Sequence, residues 1–337
     1  MTSHPSSTWL QGLQEALDWW TQSDGGDTSS IVGGGAIRRL ELVAGQHFGH
    51  RQCLAVGSGT DALAVALIGV GVKAGDVVIC SSYDWAAACD AARRLGAQPV
   101  FADPDPNTLT ISPEAVASLV TSATTAIVAT HLFGIPADIA ALRQIGLPIV
   151  EDGSQAWGAT LDDQQVGTLA DAGVFSLGPG KTIDAGEGGL IVFADQAQRQ
   201  VAVAASQHPV RQLLAGLDPR PAHYSTRISP AAAVLAAYRL ETERPDPSAM
   251  RAAWADHRRR LAQDGWDVLP RTHRHRYGPV GSTLAGQAPL GSDQPNLPDL
   301  WLPSRPRPDW LASLQIAHPT PARHSQRAPS TTPRCSN

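Results

Sequence analysis

The sequence predicts an α/β fold with a mostly parallel central sheet covered by helices, followed by a short C-terminal domain. Two observations predict it. Between about residues 50 and 195, apolar runs recur as CLAV (53–56), VVIC (77–80), PVFA (99–102), AIVAT (126–130), PIVE (148–151), GVFS (173–176) and LIVF (190–193). Helical patterns separate most of them: TDALAVALIGVG, WAAACDAARRLG, SPEAVASLV and ADIAALRQIG. Strands that are apolar throughout and joined by helices belong to parallel sheets buried on both faces.

The elements follow in chain order. Two amphipathic stretches, STWLQGLQEALDWW and AIRRLELVAGQHFG, come first, split by the Gly-rich SDGGDTSSIVGGG. In the α/β block, SPEAVASLV carries an N-cap Ser112, a proline at the first turn and Glu114 early in the helix. Helical patterns return in PAAAVLAAYRLETE and MRAAWADHRRRLAQDG, and from about residue 267 the chain turns rich in Pro, Arg and His. The expected division is an N-terminal helical segment at 1–30, a large α/β domain at 31–243, a shortened small domain at 244–326 and a disordered tail at 327–337. Within the small domain, PDLWLPSRPRPDWLASLQ has a strand-then-helix character.

With 42% hydrophobic and 17% charged residues in 337, the chain is able to bury a large core. A net charge of −5 gives no electrostatic reason to expect nucleic acid. No apolar run reaches membrane-spanning length and the start lacks a secretion-signal pattern, so a cytoplasmic protein is expected. Cys53, Cys80, Cys89 and Cys335 have no metal-ligand spacing, so no metal site is expected and the first three read as reduced thiols in or beside apolar segments. Lysine occurs only at Lys73 and Lys181, while arginine supplies the other basic residues. Lys73, in GVKAGD, reads as a solvated turn residue. Lys181 invites a role that arginine cannot fill.

Lys181 ends the stretch FSLGPGKT (175–182), which resembles a nucleotide-binding phosphate loop only at its end. The required first glycine falls at Phe175, Gly178 comes too late, and TIDAGEGG does not open a helix. Covalent chemistry at Lys181 would need a phosphate cradle, an acid beneath a pyridine nitrogen and an aromatic lid. GSGTDAL (57–63) follows a strand and opens a helix, so the N–H groups of Gly59, Thr60 and Asp61 would face an anion; an ordinary turn capped by Ser58 or Thr60 is the competing reading. Asp152 ends an apolar strand in PIVEDGSQAWG, in the crevice where such sheets bind ligands, with Gln155 close behind; a helix-capping Asp is the alternative. In SSYDWAAA (81–88), Tyr83 and Trp85 flank a helix start and offer a stacking face, with core packing as the alternative.

GSGTDALAVAL, VVICSSYDWAAACDAARRLGAQPVFADPDPNTLTISPEAV, THLFGIPADI, IVEDGSQAWGA, GVFSLGPGKTIDAGEGGLIVF and YSTRISPAAAVLAAYRL, in this order, closely resemble the DegT/DnrJ/EryC1/StrS family. The resemblance implies a fold-type-I enzyme dependent on pyridoxal 5'-phosphate (PLP), an aminotransferase acting on keto-sugars or cyclitols in specialised metabolism. It implies that Lys181 forms a Schiff base with PLP and shuttles a proton, and that Asp152 holds the pyridinium. It gives Gln155 the ring oxygen and Trp85 the ring face, and assigns the phosphate to Ser58, Gly59, Thr60 and Ser176. A related dehydratase branch has His in place of the lysine, so Lys181 favours transamination, with glutamate or glutamine as donor and a keto-compound as acceptor. The family's sites form at a homodimer interface. Thr182 and Ser225 stand where the family usually has Asn, the second at a place that reaches the neighbouring subunit's phosphate. Ser225, Arg227 and His324 are candidate cross-subunit or substrate residues. Two other readings share these residues: a PLP enzyme of elimination or aromatisation on a cyclic ketone, and a non-catalytic PLP-binding subunit.

Overall fold

The computed structural model describes residues 5–24, 32–222 and 224–263, with short strand pieces at 267–268, 277–278, 285–287 and 315–316. The chain begins with helices α1 (Pro5–Asp24) and α2 (Gly35–His47), then alternates β1 (Gln52–Val56), α3 (Gly59–Gly69), β2 (Val77–Ser81), α4 (Ala87–Arg94), β3 (Gln98–Ala102), α5 (Pro113–Leu119), β4 (Thr124–Thr130), α6 (Ile139–Arg143) and β5 (Ile149–Asp152). A hairpin of β6 (Thr160–Leu161) and β7 (Gln164–Gln165) precedes β8 (Ala172–Ser176) and β9 (Gly189–Phe193). Helices α7 (Gln196–Ser206), α8 (Pro209–Leu214), α9 (Pro230–Tyr238) and α10 (Pro247–Gln263) follow, with a π-helical turn at Arg239–Glu243 after α9. The strand pieces are β10 (Asp267–Val268), β11 (Tyr277–Gly278), β12 (Ala285–Gln287) and β13 (Gln315–Ile316).

The seven apolar runs are the seven strands of one sheet, in the order β1-β9-β8-β5-β4-β2-β3. All neighbours pair parallel except β9, which runs antiparallel to both β1 and β8. The reason is local: β8 returns into β9 through residues 177–188 without a crossover helix, and only a crossover makes parallel neighbours. The sequence patterns did not single out α7, α8 or the β6–β7 hairpin, and α4 starts at Ala87, two residues after Trp85. Ser112 does cap α5, accepting from Ala115 N at 3.1 Å. Lys73 is exposed, its amide held by Asp76 in a turn. The expected tail, His324, Cys335 and most of the 298–315 stretch lie outside the described residues.

Strand alternation divides the core. Leu54, Val56, Cys80, Ala126, Val128, Val150, Ala172 and Val174 pack with α3, α4 and α7 on one face. Their sequence neighbours Cys53, Ala55 and Phe175 join α1, α2 and α9 on the other, where Ile79, Ile127, Ala129 and Ile149 pack with α5 and α6. Helices α3 and α9 are apolar almost all round because each is nearly enclosed.

By the same alternation, consecutive acids on β5 go to opposite faces. Glu151, fully buried, turns to the α5–α6 face, where Oε1 accepts from Leu169 N and Ala170 N at 2.8 Å each. Its Oε2 accepts from Gly167 N at 2.8 Å and lies 3.0 Å from His131 Nε2. His131, also fully buried, accepts at Nδ1 from Ala137 N at 3.0 Å. That bond puts the proton on Nε2, so a neutral imidazole donates to Glu151. Glu151→Ala leaves three amides and an imidazole N–H without an acceptor, and is expected to cost roughly 3–5 kcal/mol in urea unfolding. Glu151→Gln, which keeps one carbonyl, is expected to cost less.

Candidate active site

The carboxyl ends of β1, β2, β4, β5 and β8 open on one edge of the sheet, and Ser58, Gly59, Thr60, Trp85, Asp152, Gln155, Ser176 and Lys181 lie at or just beyond these ends. At the β1 end, Ser58 Oγ caps α3 by accepting from Asp61 N at 3.1 Å. Ser58 thus caps the turn with an oxygen lone pair, which leaves its O–H as a donor, and the Asp61 amide is removed from the anion-facing set. The first-turn amides of Gly59 and Thr60 have no intrahelical acceptor and sit where the helix field favours an anion. A Cβ on Gly59 would lie 2.8 Å from Ser176 Cβ and 3.2 Å from its Oγ, so the helix N-terminus and the end of β8 meet directly. Gly189 makes this possible from the strand between them: a Cβ there would lie 2.2 Å from Ser58 O.

Asp152 is buried and, like Thr130 and Ser176, falls on the α3–α4 face by alternation with Val150, Val128 and Val174. Its Oδ1 accepts from Ser154 N at 2.9 Å, while Oδ2 has no hydrogen bond among the described residues. Gln155 Oε1 accepts from Phe133 N at 3.0 Å, at a residue with φ of 56°. This fixes the amide and leaves Nε2 as the donor for a ligand. Trp85 is 79% exposed just before α4, whereas Tyr83 is buried and packs edge-on to Phe133 at 6.4 Å. Of the two aromatic candidates, only Trp85 presents a free face.

Lys181 lies on the 177–188 loop, partly buried, with no side-chain partner among the described residues. The loop is closed by Leu177 N to Gly188 O at 2.9 Å and Ala185 N to Leu177 O at 2.8 Å. Asp184 ties its interior, accepting from Gly180 N at 2.9 Å and Gly186 N at 2.8 Å, and Arg239 donates to the Asp184 carbonyl. Arg227 pairs with Val56 in a β-bridge and Thr226 O accepts from Gly57 N at 2.9 Å, so the 225–228 segment borders the α3 turn. Ser225 itself is exposed.

Asp84 and Thr130 join these residues although no sequence motif assigns them a role. Thr130 Oγ1 donates to Asp84 Oδ2, and Trp85 N donates to Asp84 Oδ1 at 2.7 Å. Burial, and then the charge of Asp152, push the Asp84 carboxyl up to about 7. The available signal was positional: Asp84 adjoins Trp85 just past a strand end. A folded-state pKa above the unfolded value means that the folded chain keeps a proton the unfolded chain has lost between about pH 4 and pH 7. Ligand-free protein therefore loses stability as pH rises through that window. Asp84→Asn is expected to be about 2 kcal/mol more stable than wild type near pH 8, after discounting for partial exposure, and to match it below about pH 4. Thermal unfolding at the two pH values checks this.

Comparison with known proteins gives a consistent picture. A sequence profile described as the DegT/DnrJ/EryC1/StrS aminotransferase family matches residues 19–274. An L-glutamine:2-deoxy-scyllo-inosose aminotransferase of Streptomyces fradiae is 41% identical over 162 residues, 47% of this chain and 38% of that protein. A 3-amino-5-hydroxybenzoate synthase of Amycolatopsis mediterranei (strain S699) is 36% identical over 204 residues, 58% of this chain and 50% of that one. The crystal structure of a 3-amino-5-hydroxybenzoic acid synthase superposes with a TM-score of 0.70 at 28% identity, covering 82% of this chain and 73% of the other. The matched stretches thus span half or less of these curated relatives' length.

Proposed function

The chain belongs to the DegT/DnrJ/EryC1/StrS aminotransferase family, and from that premise we propose that it is a PLP-dependent aminotransferase. It would move an amino group from glutamine or glutamate to a keto-cyclitol, keto-sugar or related ketone. The observation that carries this reading is the direct meeting of the α3 N-terminus with Ser176, on the sheet edge that also bears Asp152 and the Lys181 loop.

The residues present fit the cofactor. The unused amides of Gly59 and Thr60 and the Ser176 hydroxyl supply donors for a phosphate, in a gap that a Cβ at residue 59 would close. Asp152 Oδ2 is free to hold a proton on the ring nitrogen, Gln155 Nε2 to donate to the ring oxygen, and Trp85 to cover a ring face. When bound, PLP supplies an electron-withdrawing ring that accepts the electron pair of a substrate carbon.

Lys181 Nζ would hold the cofactor covalently at rest and, once its amine is freed, would take the proton from the donor's α-carbon and return one to the acceptor carbon. A group with this task must spend part of each cycle neutral, which an ammonium achieves and a guanidinium does not. Asp152, on a strand paired on both sides, would hold the ring nitrogen, and Gln155 would hold the ring oxygen. A second copy of the chain would complete the site through the 225–228 segment, with Ser225 and Arg227 at its border.

The likeness to a 3-amino-5-hydroxybenzoate synthase, whose named product is an aromatic amine, supports a second reading: elimination and aromatisation on a cyclic ketone through the same lysine. Product analysis separates the two. Purified protein given PLP, glutamine and 2-deoxy-scyllo-inosose is expected to form an aminocyclitol detected by mass spectrometry. Lys181→Ala is expected to lose at least ~10³-fold in turnover, and borohydride reduction of wild type is expected to place PLP on the peptide containing Lys181. Unchanged turnover in the variant would sink the mechanism.

A further inference from the structure

A second carboxylate, Asp84, is one hydroxyl removed from the strand position of Asp152, the carboxylate that the proposed cofactor needs. Strands β5, β4 and β2 are adjacent in the sheet. Asp152 on β5 is the register partner of Thr130 on β4, and the Thr130 hydroxyl reaches across to Asp84, three residues past β2. Each oxygen of Asp84 thus has a donor, one from Thr130 and one from the Trp85 amide. The same short segment carries the exposed indole face of Trp85.

We propose that Asp84 is a second carboxylate of the ring pocket, paired with Asp152, and that the pair releases a proton to solvent when a cationic pyridine nitrogen binds. The inference rests on the reading of the site as a PLP site. Its physical ground is that burial first, and then the charge of Asp152, disfavour a charge on Asp84. Besides Asp152 from β5, the titratable groups coupled to Asp84 are Cys80 from β2 and Cys89 from α4, both raised by burial and held neutral. Arg93 acts on the two cysteines. Near neutral pH the ligand-free site therefore keeps a fraction of a proton on Asp84. A ring nitrogen that arrives protonated donates to Asp152 Oδ2 and cancels the repulsion. The fraction of a proton held by Asp84 then leaves to buffer. The pairing makes cofactor affinity rise with pH through the range where Asp84 titrates.

Calorimetric titration of PLP into ligand-free protein at pH 7, in two amine-free buffers of different ionisation enthalpy, counts the protons released. Wild type is expected to release roughly half a proton more than Asp84→Asn or Asp84→Thr, since Lys181 chemistry is common to all three. Infrared difference spectra of wild type alone give a second readout that needs no variant: a protonated-carboxyl band is expected to disappear when PLP is added. Binding with equal proton counts, or with no loss of that band, overturns the inference and leaves the PLP reading standing. Failure of wild type to bind PLP overturns both.

Discussion

The approach of α3 to the ends of β8 and β9 is the contact on which the rest of the site depends. Helix α3 leaves β1 at one edge of the sheet and delivers the chain to β2 near the other, so it must cross the sheet. It does so at a distance that excludes a side chain at Gly59 and at Gly189. Ser176 then stands under the helix N-terminus, and the lysine loop starts from that same strand end. The antiparallel β9 belongs to this arrangement. By inserting between β1 and β8 it sets the spacing that Gly189 bridges, and its direct return from β8 produces the short closed loop that bears Lys181.

Strand β5 shows how one dipeptide serves two ends. Glu151 and Asp152 are adjacent, chemically alike and both buried. The two-residue period of the strand sends Glu151 into a shell of amides and His131, where its acceptor capacity is filled internally. Asp152 is sent to the open edge with one oxygen that has no hydrogen bond among the described residues. The first carboxylate holds the loop after β4 and the segment before β8 to the sheet. The second is available to a ligand because its neighbour does that work.

Much of this was legible in the sequence, for identifiable reasons. The seven strands announced themselves because buried parallel strands are apolar throughout, and the motif order carried Asp152, Gln155, Ser176 and Lys181. What stayed hidden depended on contacts between distant segments. That Ser58 caps α3, that Gln155 gives its oxygen to Phe133, and that Thr130 ties Asp84 to the strand position beside Asp152 are facts of tertiary placement. Helix α8 was missed because it is short, six residues, and exposes Val210, Leu213 and Leu214, so it has no clean amphipathic pattern. Ser225 and Arg227 had a place in the motif order, but that Arg227 pairs with Val56 beside the α3 turn is again a matter of tertiary placement.

The cap at Ser58 has a thermodynamic consequence. Because the hydroxyl is already bonded to Asp61 N, the first turn of α3 is rigid before any anion arrives. The conformational entropy of ordering that turn is charged to folding, and association does not bear it again. An anion meeting this turn finds its donors already aligned, so the free energy of contact reaches the dissociation constant with little deducted.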